Sequence, residues 1–132
     1  MTHNTLINQT VIQANKYSNI RLWSNPVGFA YAGTVVKEYN NNNKRYITIV
    51  NPRPIKYGLG KGTLDTIGFK VEDISGYKIP RFISFDAKIG KDKLSDSQTK
   101  FRDMVNSFGG ISSEIREGDN VVDLLKKPLL LI

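Results

Sequence analysis

The chain has 132 residues, 39% hydrophobic and 10% aromatic, with a formal net charge of +7. That length and apolar share fit one domain with its own core and exclude wholesale disorder. The lack of cysteine excludes disulfides, thiolate zinc sites and cysteine nucleophiles, and a single histidine, His3, assigned to an N-terminal tail, excludes His-based triads and His-rich metal sites.

In chain order, residues 5–18 read as a first helix, because Ile7, Val11, Ala14 and Ser18 recur at helical spacing beside Leu6 and Ile12. Ile20–Trp23 reads as a short strand, broken by Ser24-Asn25-Pro26. Residues 28–37 alternate small and apolar side chains, and 45–50 are β-branched and aromatic. The asparagines Asn40–Asn43 supply a polar turn between them, so the pair reads as a hairpin with a solvated tip. Residues 51–62 carry two prolines and three glycines and read as irregular. Thr63–Phe69 reads as a strand, Val71–Pro80 as a turn around Ser75-Gly76, and Phe82–Lys88 as a further strand. Ser95 and Gln98 form an S-x-x-Q capping box. The helix they open carries Phe101, Met104, Val105 and Phe108 as one apolar stripe and ends at Gly109-Gly110. Ile111–Ile115 reads as a strand, and Asp119 as the cap of a short helix through Leu125, stopped by Lys126-Lys127-Pro128. This order predicts an α/β fold, a mixed sheet flanked by helices, in a single domain over residues 1–132.

The chemistry is concentrated in Phe82–Lys88. Alternation along a strand puts Asp86 and Lys88 on one face and Ile83, Phe85 and Ala87 on the other. The apolar face anchors the strand in a core, and the opposite face presents a carboxylate beside an ammonium. Asp65 follows the glycine-rich loop; placed on the Thr63–Phe69 strand, it can converge with Asp86 if the two strands are neighbours. Each feature alone also suits an ordinary turn or a polar strand face. With cysteine absent and histidine set aside, carboxylates remain as metal ligands, and they suit hard cations such as Mg²⁺ or Mn²⁺. Two carboxylates and a backbone carbonyl make an incomplete shell that water and a phosphate oxygen can fill. The metal would acidify its bound water, while Lys88 stabilises developing charge or orients that water. The positive net charge favours a polyanion partner, although solvated lysines account for charge alone equally well. No apolar run approaches membrane-span length, and Met1–Leu6 lacks the features of a signal peptide, so no membrane partner and a cytoplasmic location are expected.

The ordered set of motifs resembles the virus-type replication-repair nuclease family, VRR-NUC, a branch of the PD-(D/E)xK nucleases. Gly58–Gly68 resembles its glycine-rich loop and first metal-binding Asp, and Phe85-Asp86-Ala87-Lys88 its E-x-K signature. Leu94–Gln98 resembles its L-S-x-x-Q helix start, Gly109-Gly110 its helix end, and Asp123-Leu124-Leu125 its closing helix. Upstream, Arg21–Gly28 is similar to its R-x-N-x-x-G segment. The resemblance implies a restriction-endonuclease-like core and a Mg²⁺-dependent endonuclease, with Mn²⁺ as a substitute. Asp65, Asp86 and the Ala87 carbonyl would hold the metal, Lys88 would be the catalytic lysine, and Gln98 would sit near the site. The capping box gives Gln98 a sufficient structural role as well. Two departures stand out. The signature acid is Asp where the family usually has Glu, and the first helix offers Asn8, Gln9 and Gln13 in place of the acid many members carry there.

Stand-alone members of the family resemble phage Holliday-junction resolvases and act as homodimers, which implies a branched-DNA substrate, a homodimer and, for a phage protein, the cytoplasm of a bacterial host. The alternatives are a nuclease of flap, nicking or restriction-like specificity, and a catalytically silent DNA-binding module on the same fold. Lys56, Lys61, Lys91, Lys93 and Lys100 surround the site in sequence and are the expected phosphate contacts. The apolar Leu129–Ile132 tail is expected to cover the core or join a dimer interface.

Overall fold

A computed structural model describes residues 1–129. Its elements are α1 (His3–Ala14), β1 (Ile20–Ser24), β2 (Gly28–Asn41), β3 (Lys44–Tyr57), β4 (Thr66–Ile74), β5 (Tyr77–Lys88), α2 (Asp96–Ser107), β6 (Ile111–Arg116) and α3 (Val121–Leu124). They form a mixed α/β structure. A four-stranded sheet runs in the order β1-β4-β5-β6, antiparallel except for the parallel β5–β6 pair, and β2 and β3 form a separate two-stranded ribbon.

The strand β5 is central, and its alternation decides the layers. Ile83, Phe85 and Ala87 cluster with Leu6 and Ala14 of α1 and with Val121 and Leu125. On the other face Phe82 meets Phe101 of α2 edge-on, with ring centroids 6.3 Å apart. The two long helices therefore flank opposite faces of the sheet. Phe85 and Ile83 are wholly buried, and burial of each stabilises the fold by roughly 1.5–3 kcal/mol. Gly68 of β4 is obligatory, since a Cβ there would lie 1.9 Å from the Arg21 carbonyl oxygen of β1.

Several boundaries differ from the sequence reading. The first helix starts at His3 and not residue 5, because the Thr2 hydroxyl caps the Thr5 N–H. It stops at Ala14 and not 18, because the Asn15 side chain both donates to the Leu22 carbonyl and accepts from the Leu22 N–H, each at 2.8 Å, turning the chain into β1. The buried stripe is Leu6, Thr10 and Ala14, with Ile7 and Val11 packed beside it; the Thr10 hydroxyl is satisfied by the Leu6 carbonyl. Residues 51–57 belong to β3 and are not irregular. Pro52 falls with Asn51 in a bulge opposite Gly33, and a ribbon that pairs on one side only leaves positions where a missing N–H costs nothing. The segment Val71–Pro80 is a tight hairpin, with only Ser75-Gly76 turning, both at positive φ. The last helix is capped by Asn120; Asp119 instead accepts the Arg116 N–H. In the α2 stripe only Val105 is buried, while Met104 and Phe108 are 46% and 84% exposed. Residues 130–132 of the apolar tail lie outside the described residues. Among the described residues, no helix is long and apolar enough to cross a membrane.

One buried cation ties this scaffold together. Arg81, 5% exposed, donates to the carbonyls of Gly109 and Lys127 and to the Glu72 carboxylate, which Lys70 also contacts at 3.1 Å. Burial pushes the Glu72 carboxyl up, but the hydrogen bonds from Lys70 and Arg81 outweigh it and hold it below its ordinary value. Removing Arg81 strands two carbonyls and takes from Glu72 one of its two cations. We expect Arg81→Ala to cost about 3 kcal/mol in urea unfolding, against under about 1 kcal/mol for the exposed Lys78→Ala.

Candidate active site

The acid pair lies where β4 and β5 part. Regular pairing ends at Gly68 and Ile83. Beyond it the strands are held by side chains. The Thr66 hydroxyl donates to the Phe85 carbonyl at 3.0 Å and accepts the Phe85 N–H at 2.9 Å, and the Ser84 hydroxyl donates to the Thr66 carbonyl at 2.7 Å. Thr66 and Ser84 are buried, so these bonds form away from water. They set Asp65, on the bend just before β4, beside Asp86. The sequence reading placed Asp65 on a strand; the glycine-rich loop continues to it instead.

Each aspartate accepts a backbone N–H at the other's position. The Asp65 N–H donates to Asp86 Oδ1 at 3.1 Å, and the Ala87 N–H to Asp65 Oδ2 at 2.8 Å. Asp86 is 1% exposed. Lys88 Nζ lies 2.8 Å from its Oδ2, so the two do share a face. That contact is a close charge pair without hydrogen-bond geometry, since Oδ2 accepts no directed hydrogen bond. Burial raises the Asp86 carboxyl above its ordinary 3.8; Lys88 opposes the rise and the neighbouring Asp65 adds to it.

Gln98 caps α2 and also reaches the acid–lysine pair. Its Oε1 accepts the Ser95 N–H at 3.0 Å in the capping box. The same oxygen accepts from Lys88 Nζ at 3.3 Å, and its Nε2 donates to Asp86 Oδ1 at 3.4 Å. The start of α2 thus positions the acid–lysine pair.

Two further residues belong to this site. His3 is the first residue of α1 and not part of a tail, and its Nε2 lies 2.9 Å from Asp65 Oδ2. The Thr2-x-x-Thr5 cap was the signal that could have placed it. Asn25, 5% exposed, donates to the Leu64 carbonyl at 2.9 Å and the Thr63 hydroxyl at 3.1 Å, and accepts the Leu59 N–H at 3.0 Å. Its own N–H donates to the Asp65 carbonyl. Asn25 therefore folds the loop that delivers Asp65. We expect Asn25→Ala to cost about 2–3 kcal/mol and to loosen Asp65, seen as faster amide exchange over 58–65 than in wild type.

The first helix contributes Asn4, Ile7 and Asn8 to a hollow of about 310 Å³ beside Asp65. Gln9 and Gln13 face a different hollow, and Gln13 Oε1 accepts the Val121 N–H. Among the described residues, no three or more acidic or histidine side chains are grouped to enclose a metal. The oxygen donors brought together are the carboxylates of Asp65 and Asp86, with the His3 imidazole beside Asp65. A buried carboxylate next to a second carboxylate suits a hard cation. The five candidate lysines are all exposed. Lys61 lies in the glycine-rich loop, Lys91 and Lys93 in the loop after β5, Lys100 on α2 and Lys56 at the root of the ribbon. Searched against known proteins, the chain matches no family model and no curated protein.

Proposed function

We propose that this chain is a metal-dependent endonuclease with a restriction-endonuclease-like core of the VRR-NUC type, acting on branched DNA as a junction resolvase. The observation that carries the reading is the mutual anchoring of Asp65 and Asp86 beside Lys88, with the buried Asp86 Oδ2 lacking a directed hydrogen bond. Asp65, Asp86 and the Ala87 carbonyl would hold Mg²⁺ or Mn²⁺, which when bound acidifies water and neutralises phosphate charge. The chain's own residues do the rest. Gln98 holds Asp86 and Lys88 in register. Lys88, 15% exposed, offers a charge to the phosphorane that forms at the scissile bond. Lys61, Lys91, Lys93 and Lys100 meet the flanking phosphates, which read backbone shape and not sequence. Paired sites in a two-fold assembly would suit the two strands of a junction.

A DNA-binding module without catalysis is the second reading, favoured by the amide side chains where α1 approaches Asp65. Incubation with a labelled four-way junction, linear duplex and single strand, with Mg²⁺, Mn²⁺ or EDTA, separates the two. Paired nicks on the junction, lost in Lys88→Met and in EDTA, support the resolvase. Cleavage of flaps or linear duplex instead points to another specificity, and binding without cleavage under every metal ends the enzyme reading.

A further inference from the structure

The β2–β3 ribbon spans 30 of the 132 residues, yet its strands pair only with each other. Along both strands every residue but Gly28, Ala32 and Ile49 is exposed. At 14 residues per strand it extends roughly 45 Å. Its apolar side chains form no single docking surface, because the register divides them. Val35, Ile47 and Ile49 fall on one face, and Tyr39, Tyr46 and Val50 on the other. The polar groups of the outer half are sorted far more sharply. Lys37 pairs with Thr48, Tyr39 with Tyr46, and Asn41 with Lys44. Cross-strand partners and alternate residues share a face, so these six side chains make one surface. Their contacts agree: the Tyr39 and Tyr46 rings stack with centroids 5.1 Å apart, and Lys37 Nζ lies 4.8 Å from the Tyr39 ring centre. All six carry a hydrogen-bond donor and none is an acid. The opposite face holds Glu38, Asn40, Arg45 and Ile47, where one acid offsets one base. Asn42 and Asn43, both at positive φ, close the tip in a two-residue turn, so the ribbon stays two strands wide to its end.

We infer that the outer half of the ribbon is an arm that lies in the major groove of double-stranded DNA, with the face of Lys37, Tyr39, Lys44 and Tyr46 turned inward. Charge complementarity selects that occupant. The ribbon carries five basic residues against one acid, and its donor face carries no acid at all. Shape agrees with charge. The major groove of B-form DNA is about 12 Å wide and admits a two-stranded ribbon, whose strands lie about 4.8 Å apart. The five residues from Lys37 to Asn41 run about 17 Å, or roughly five base pairs. Over that length the ammoniums meet the phosphates that wall the groove, and the phenol, amide and hydroxyl groups donate to phosphate oxygens or base edges. The ribbon ends at Tyr57 and leads into the loop that delivers Asp65, so the arm sets where a duplex lies relative to the acid pair. The inference rests on the reading of this chain as a protein that acts on DNA, and not on cleavage at that pair.

Fluorescence anisotropy of a labelled linear DNA duplex with the full chain in EDTA tests this without cleavage. Wild type should bind with an affinity that falls steeply as salt rises. Lys37→Gln with Lys44→Gln should bind roughly tenfold more weakly, with a log–log salt slope shallower by about 2 and an unchanged circular dichroism spectrum. Arg45→Gln removes a charge one residue away but on the other face, and should stay within about twofold of wild type. An RNA duplex of the same sequence has a major groove too narrow for the ribbon, so it should bind more weakly and lose little in the double variant. A double variant that binds DNA like wild type overturns the inference. So does a loss in Arg45→Gln as large as in Lys44→Gln, or an equal loss on RNA. A wild type that binds no duplex in EDTA also overturns it, since the arm's contacts need no metal, and leaves the cleavage reading to the junction assay with metal. Unchanged duplex binding with a lower sedimenting mass in the double variant overturns it in favour of a protein partner.

Discussion

Replacing Asp65 by asparagine is expected to abolish cleavage and raise the melting temperature in the same protein. The site holds two carboxylates and one ammonium, with the His3 imidazole 2.9 Å from Asp65 Oδ2, and Asp86 pairs with Lys88. Asp65 is the surplus charge, and its field helps hold the Asp86 carboxyl above its ordinary value. An asparagine oxygen still accepts the Ala87 N–H, and the Asp65 backbone N–H still reaches Asp86. What is lost is one negative charge beside another. We expect a gain of about 1 kcal/mol, or roughly 3–5 °C, by calorimetry at neutral pH. Under the proposed metal-dependent cleavage, loss of the Asp65 carboxylate should cost about 4 kcal/mol of barrier, roughly a thousandfold in rate. The pH dependence has a definite sign. An acid whose folded pKa is raised binds protons more tightly in the native state, so stability falls as pH rises from about 3.8 through the folded pKa. That decline should be shallower in Asp65→Asn. A variant that is less stable than wild type, with an unchanged pH profile, would show that the two acids do not interact.

The same pair of acids shows what could be read in the chain beforehand. Period-two alternation sufficed for Asp86 and Lys88, because the apolar row Ile83, Phe85 and Ala87 takes one face of β5 and leaves them the other. Ser95 and Gln98 were readable for the same reason, since a capping box is local. The approach of Asp65 to Asp86 was readable only as a condition on strand pairing, and the bonds that satisfy it come from Thr66 and Ser84, whose residue types announce nothing. His3 was assigned to a tail because a helix start two residues earlier depends on the Thr2 hydroxyl. The ribbon was foreseen as a hairpin but cut short at residue 50, since prolines end a strand inside a sheet and not at the bulge of a ribbon paired on one side. The α2 stripe is legible from its spacing, but the exposure of Met104 and Phe108 depends on what lies opposite the helix, which spacing does not encode.

Asp86 and Lys88 should prove far more coupled in stability than their roles in cleavage reveal. If the site cuts DNA as proposed, either single change should remove cleavage, so activity would not separate them. Stability can. Asp86→Ala leaves Lys88 without its charge partner, removes the acceptor of the Asp65 N–H and opens a void at a position 1% exposed. About 3 kcal/mol of destabilisation follows, so this variant does not leave the fold untouched, and its lost activity alone proves little. Lys88→Met keeps the methylene packing and removes only the charge. It leaves the buried carboxylate uncompensated, so the Asp86 pKa rises further and the loss, about 2 kcal/mol at neutral pH, shrinks as the solution is acidified. The pair Asp86→Leu with Lys88→Met replaces both charges by apolar groups of similar size. A buried ion pair exchanged in this way is close to neutral, so the double variant should be more stable than Asp86→Ala, with a coupling of about 2 kcal/mol in a cycle built on Asp86→Leu. Additive losses would mean that Lys88 faces solvent and not Asp86. Lys88→Met is then the informative catalytic variant: it keeps both aspartates, and Mn²⁺ should still raise its melting temperature while the junction stays uncut.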